Sequence, residues 1–269
     1  MNDLDRSSAT RRPTTGYLAS AHQVLALAHR GFDLDGRENS MAAFAAARDL
    51  GVDHVETDAH ATSDGVAVAL HDASLERTTD TTGRVADLPW SRVRQARIGG
   101  TEPVPRLDEL LGEWPDLRVN VDVKADGAEA AVAAAVERTR AHDRVLLTSF
   151  SAARRRRTLA ALSRPVATSA GRSEIAAFLA AAALPDVAAL PAARAALHEV
   201  DCLQVPERSG LRVVSARTVA LAHLVGRPVH VWTVDDAADM HRLLDLGVDG
   251  LVTNRSDVLR DVLVARGSW

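Results

Sequence analysis

The chain has 269 residues, 46% hydrophobic and 25% charged, an ordinary balance for a globular protein and a length that one α/β barrel can fill. Its net charge of −4 excludes an overall basic surface that would recruit nucleic acid or anionic lipid, so attraction for an anionic ligand must be local. Its one cysteine, Cys202, excludes an internal disulfide framework and reads as a small buried apolar residue.

Residues 1–20 have no apolar core of secretory type and read as a polar, flexible tail, leaving 21–269 as a single domain. No apolar run approaches the ~18 residues that would span a membrane, so a cytoplasmic enzyme is expected. The first apolar run, "VLALA" (24–28), reads as a strand and changes at once to His29, Arg30 and Gly31. A helical stretch follows, "SMAAFAAARDLG", with Ser40 as its N-cap. Strand side chains alternate faces, so "HVETD" (54–58) points Glu56 and Asp58 the same way. The chain then meets "SDG", a hairpin signal, and returns through the alternating run "VAVAL". With Asp64-Gly65 as a two-residue turn, Ser63 pairs with Val66 and His71 falls opposite Asp58; a shift of one residue moves it to Thr57. Either register folds His71 back beside the acid pair. His60 reads as a polar residue on the hairpin face.

In "RVNVDVK" (118–124) the same alternation puts Asn120, Asp122 and Lys124 on one face. Of the 32 lysines and arginines only Lys124 is a lysine, a compact charge that a guanidinium fork cannot imitate. "RVLLTS" (144–149) ends in Ser149 and Phe150, and Ser151 is positioned to cap the next helix. The four consecutive arginines of that helix spread around the cylinder and read as a solvated face, not a nucleic-acid patch. Four more runs complete the set: "PVATS" (165–169), "CLQVP" (202–206), "PVHVWTV" (228–234) and "GLVTN" (250–254). Residues 170–200 are too alanine-rich to set clear helix boundaries. Eight strands alternating with helices imply a TIM (β/α)8 barrel, with a small β-hairpin insertion after strand 2; an open doubly wound sheet is the alternative.

Active sites of such barrels lie at the C-terminal ends of the strands. That rule gathers His29, Arg30, Glu56, Asp58, His71, Asp122 and Lys124 at one mouth. Three acids on one rim repel each other unless a cation lies between them; their oxygen donors suit Mg²⁺ or Ca²⁺ better than zinc, and salt bridges to Arg30 and Lys124 are the alternative. Histidine suits proton transfer near neutral pH, and arginine with a metal ion suits a phosphate. The sum is a phosphoryl centre.

"AHRG" followed by "EN", "VETD", "DGVAVALHDASLERTTDTTGRVADL", "VDVK", "LLTSF", "VWTVD" and "DGLVTN" resemble, in order and over residues 24–264, the glycerophosphodiester phosphodiesterases. The resemblance implies hydrolysis of a small-molecule glycerophosphodiester to sn-glycerol 3-phosphate and an alcohol. It implies one divalent ion, Mg²⁺ or Ca²⁺, held by Glu56, Asp58 and Asp122, with His29 and His71 as the general acid–base pair. It implies Arg30 and Lys124 as phosphate ligands, Phe150 and Trp232 near the substrate rim, and Glu38 and Asn39 lining the site. Asp122 stands where glutamate is usual, Arg37 where proline is common, and Asp235 where asparagine is common after "TV". Cleavage that stops at a cyclic phosphate and a barrel that only binds are the rival readings. A metal-dependent amidohydrolase would want a His-x-His pair on the first strand, and none is present.

Overall fold

All eight predicted runs become strands of one curled parallel sheet in the computed structural model, which describes residues 16–20 and 22–269. In chain order the strands are β1 (Leu25–His29), β2 (His54–Ala61), the hairpin return β3 (Ala67–Ala69), β4 (Arg118–Val123), β5 (Val145–Thr148), β6 (Ala167–Thr168), β7 (Leu203–Pro206), β8 (Val229–Trp232) and β9 (Gly250–Thr253). Their order around the sheet is β6-β5-β4-β2-β1-β9-β8-β7, with β3 paired to β2. A parallel bridge between Ser169 and Cys202 joins the two ends. Asp201 N donates to Thr168 O (2.8 Å) and Ala170 N to Cys202 O (3.2 Å), so the ring closes as a barrel.

Helices α1 (Met41–Asp49), α2 (Leu107–Glu113), α3 (Glu129–Thr139), α4 (Ala152–Ala160), α5 (Arg172–Ala182), α6 (Asp186–Ala196), α7 (Ala216–Leu224), α8 (Ala237–Asp245) and α9 (Ser256–Ala265) accompany the strands. Ser40 caps α1 by accepting from Ala43 N, and Ser151 caps α4 by accepting from Arg154 N, as the sequence predicts. The main apolar core lies between strands and helices, where Val55, Val119, Val121 and Leu147 meet Phe44, Leu110, Val132 and Leu243. Among the described residues no helix is long and apolar enough to cross a membrane.

Of the expected tail, residues 1–15 lie outside the described residues. Gly16–Leu18 forms a 3-10 turn that packs into the fold. Tyr17 is fully buried with Leu146, Ala167 and Cys202, stands edge-on to His54 (5.1 Å) and accepts its Nε2 at the main-chain oxygen (2.8 Å). The lone thiol is buried with it, as expected.

His230 is wholly buried, and among the described residues neither of its ring nitrogens has a hydrogen-bond partner. Burial pushes its pKa down to about 4, against a weaker upward pull from Asp249 and a further downward push from His54. A histidine depressed in the folded state is stabilising while neutral, above its unfolded pKa near 6.5, and that contribution is lost as pH falls toward 4. Over that window the unfolding free energy is expected to drop by roughly 3 kcal/mol from this group. Urea unfolding at pH 7.5 and 5 should show a steeper acid decline in the wild type than in His230→Leu; parallel declines would refute it.

Two features exceed the sequence reading. The insertion after β2 is more than a hairpin: Val68, Leu70, Leu75, Val85, Val93, Ala96, Ile98 and Val104 form a second apolar cluster. The arginine run of α4 is only partly solvated. Arg156 and Arg157 are exposed and pair with Glu199, Asp126 and Glu129, whereas Arg155 is buried, donating to Glu174 (2.8 Å) and Ser169 O (2.9 Å).

Candidate active site

The C-terminal ends of the strands open into one cavity of about 630 Å³. Its lining includes His29, Arg30, Glu56, Asp58, His71, Asp122, Lys124, Phe150 and Trp232. Strand register explains the convergence. His29 pairs with Glu56 across β1 and β2, and Asp58 with Asp122 across β2 and β4, so neighbouring inward positions carry the reactive groups.

The hairpin brings His71 to this rim in the alternative register. Ala61 pairs with Ala67 and Ala59 with Ala69, Thr62 N donates to Val66 O, and Leu70 N donates to Asp58 O. His71 therefore follows toward Thr57, one residue from the register of a two-residue turn. The loop is Ser63–Gly65, with Gly65 at φ 78°, a three-residue turn whose last residue is left-handed. His60 is buried in the hairpin, with Nε2 against His71 O (3.1 Å), and acts on the main chain rather than in the cavity.

Charge at the floor is tightly shared. Lys124 Nζ lies 2.7 Å from both Asp58 Oδ1 and Asp122 Oδ2, and Arg30 Nε lies 3.0 Å from Asp58 Oδ2. Burial raises Asp58, but Lys124 and Arg30 outweigh it and hold this carboxyl below the usual range. Burial lifts Asp122 against the pull of Lys124, and burial together with Asp58 lifts Glu56 well above the usual range. Among the described residues no three acids, histidines or cysteines already stand in ligating array. Asp122 Oδ1 is nonetheless buried with no hydrogen-bond partner among the described residues, and three carboxylates face two cations there. The all-oxygen set fits a hard divalent ion.

Arg30 is held at φ 57°, and the next residue must be glycine, because a Cβ on Gly31 would meet Ala43 C at 2.6 Å. Glu38 and Asn39 stand behind the cavity instead of lining it. Glu38 accepts from Arg30 Nη1 (3.0 Å) and Arg77 Nη2 (2.7 Å); Asn39 donates to Asp58 Oδ2 (3.2 Å) and accepts from Thr57 Oγ1 (2.8 Å). Both orient groups that do reach the cavity. Phe150 and Trp232 meet edge to face at 5.9 Å on the rim.

The two histidines have different partners. His71 Nδ1 lies 2.6 Å from Asp72 Oδ1, and the hydrogen bond from Arg77 holds the Asp72 carboxyl down to about 2. His29 Nδ1 lies 2.7 Å from Asn254 Oδ1, and Nε2 lies 3.9 Å from Glu56 Oε2. Asn254 Nδ2 donates to Asp235 Oδ2 (2.8 Å), while Asp235 Oδ1 accepts from Asn254 N (2.8 Å) and Thr253 Oγ1 (2.9 Å). A carboxylate only accepts, so Asp235 turns the Asn254 amide nitrogen to itself and the amide oxygen to His29. His29 then carries its hydrogen on Nδ1, and Nε2 faces the acids. Burial, with Arg30 beside it, lowers the His29 pKa and favours the neutral ring.

The sequence reading missed Asn254, Asp72 and Arg77 as parts of this apparatus and gave Asp235 no partner. Asn254 ends the last strand run, so the rule that collected the other strand-end residues would also have collected it.

The model of the glycerophosphoryl diester phosphodiesterase family matches residues 29–258. The probable glycerophosphodiester phosphodiesterase 2 of Mycobacterium tuberculosis is 45% identical over 259 residues, covering 96% of this chain and 97% of the relative. A glycerophosphodiester phosphodiesterase of Caldanaerobacter subterraneus is 29% identical over 261 residues, covering 91% of this chain and 99% of the relative. A solved phosphodiesterase of Oleispira antarctica, in complex with the product sn-glycerol-3-phosphate, aligns with a TM-score of 0.71 at 21% identity, over 89% of this chain and 96% of that one, a likeness of fold.

Proposed function

The chain belongs to the glycerophosphoryl diester phosphodiesterase family, whose substrates are glycerophosphodiesters, and from that premise we propose that it releases sn-glycerol 3-phosphate by acid–base catalysis between His29 and His71. The observation that carries this reading is the convergence of both histidines, Arg30, Lys124 and three carboxylates on one cavity. The product complex of the Oleispira relative supports the choice of product.

Arg30 and Lys124 would hold the non-bridging phosphate oxygens and stabilise the charge that grows as phosphorus becomes five-coordinate. His29, neutral and with Nε2 toward the acids, is suited to take the proton of the attacking water. His71, oriented at Nδ1 by Asp72, is placed to give a proton to the departing alkoxide. Phe150 and Trp232 would flank the substrate at the rim; Glu38 and Asn39 would hold Arg30 and Asp58 in place. A divalent ion, Mg²⁺ or Ca²⁺, held by Glu56, Asp58 and Asp122 would neutralise charge on the phosphate.

Hydrolysis of glycerophosphocholine and glycerophosphoethanolamine tests the reading. Glycerol 3-phosphate should appear, stop after EDTA and return with Mg²⁺ or Ca²⁺. Release indifferent to EDTA would remove the ion from the account, and no release from these or from an uncharged alkyl glycerophosphodiester would remove the reaction.

The role of Asp235 gives a sharper test. Asp235→Asn frees the Asn254 amide to turn either way, and kcat is expected to fall about 10- to 100-fold with KM little changed. Adding Asn254→Asp should restore turnover, because the amide now at position 235 can donate to a carboxylate that accepts from His29 Nδ1. Full activity in the single variant would separate the pair from catalysis.

A further inference from the structure

The proposed catalytic groups occupy only part of the cavity. Above the charged floor, one wall is built by α5, where Arg172, Ile175, Ala176 and Leu179 fall at the spacing of one helical stripe. Leu211 and Val213 line the cavity from the segment after β7, and Leu211 is 76% exposed at the lip. Ile175 and Leu179 are only half-buried, so apolar surface there is open to whatever enters. Among the described residues, the carboxylates lining the cavity are Glu56, Asp58 and Asp122, all on the floor. Of the two aromatic side chains that line the cavity, Phe150 and Trp232, Phe150 already has the Arg172 guanidinium 4.8 Å and Lys124 Nζ 5.6 Å from its ring centre.

Resting on the hydrolase reading, we propose that the wall of Ile175, Leu179, Leu211 and Val213 is a subsite for an uncharged, apolar alkyl group on the alcohol side of the phosphodiester. At the level of this wall a cationic head group would find the Arg172 guanidinium and, among the described residues, no acid. An alkyl chain would cover half-open leucine and isoleucine in a cavity continuous with the phosphate site. The reaction is unchanged: water oxygen bonds to phosphorus, the bond from phosphorus to the alcohol oxygen breaks, and the alcohol leaves with a proton.

The test is a series of glycerophosphodiesters of ethanol, butanol and octanol, with glycerophosphocholine as the cationic comparator. Along the alkyl series kcat/KM is expected to rise about two- to fourfold per methylene, and the choline ester should fall at least about tenfold below the butyl ester. In Ile175→Asp and Leu211→Asp the ratio of octyl to ethyl ester should drop at least about tenfold; Leu211 is exposed, so its variant keeps the fold. Calorimetric binding of octyl phosphate and ethyl phosphate reads the subsite without turnover, and the octyl compound should bind at least about 100-fold more tightly. Tight octyl phosphate binding without hydrolysis of any ester would sustain the subsite and sink the hydrolase reading. Equal affinity for the two phosphates, a flat alkyl series, or preference for the choline ester would overturn the subsite.

Discussion

His29→Ala and His71→Ala are each expected to lower kcat by at least ~10²-fold with the fold intact. His29 is 19% and His71 35% exposed, and both line the cavity, so removing either ring enlarges the site rather than opening a void in the apolar core. Circular dichroism and melting temperature should therefore match the wild type. KM should move little, because Arg30 and Lys124 hold the phosphate in this account. Near-wild-type turnover in either variant would remove that histidine from proton transfer.

Lys124→Arg is expected to lower turnover at least about tenfold although it keeps the charge, and Lys124→Met about 10²- to 10³-fold. The ammonium sits 2.7 Å from two carboxylates on adjacent strands and is mostly buried, a slot for a point donor. A planar fork needs more width and would displace Asp58 or Asp122. The carboxylates push the Lys124 pKa up despite burial, so the group stays charged through any working pH. Lys124→Met would also leave buried carboxylates uncompensated, so its kcat must be read where the variant is folded. A fully active arginine variant would make the lone lysine an accident of composition.

Periodic features were legible in the sequence. All eight barrel strands fall on the predicted runs, most of them apolar because a barrel strand is buried on both faces, with the polar β2 read from its alternation instead. Glu56, Asp58, Asp122 and Lys124 reach one cavity because alternation places them on one face. What periodicity does not encode was lost. The hairpin register slipped by one residue because Gly65 takes a left-handed conformation in a three-residue loop, which the dipeptide Asp64-Gly65 does not distinguish from a two-residue turn. The insertion core was invisible because Leu75, Val85, Val93 and Ile98 follow no strand or helix spacing. The bond from His29 to Asn254 joins residues 225 positions apart, and only the pairing of the first strand with the last makes them neighbours. Glu38 and Asn39 were placed along the site by the resemblance of "EN" alone; the chain turns their side chains onto Arg30 and Asp58.

The division of labour between the histidines is tested most directly by changing the leaving group. A 4-nitrophenyl ester of glycerol phosphate departs without needing a proton, whereas an ethyl ester needs one. His71→Ala should recover to within about tenfold of wild-type kcat on the nitrophenyl ester and stay impaired on the ethyl ester, while His29→Ala stays impaired on both. Equal impairment of His71→Ala on the two esters, or recovery of His29→Ala on the nitrophenyl ester, would contradict the assignment of His71 as acid and His29 as base.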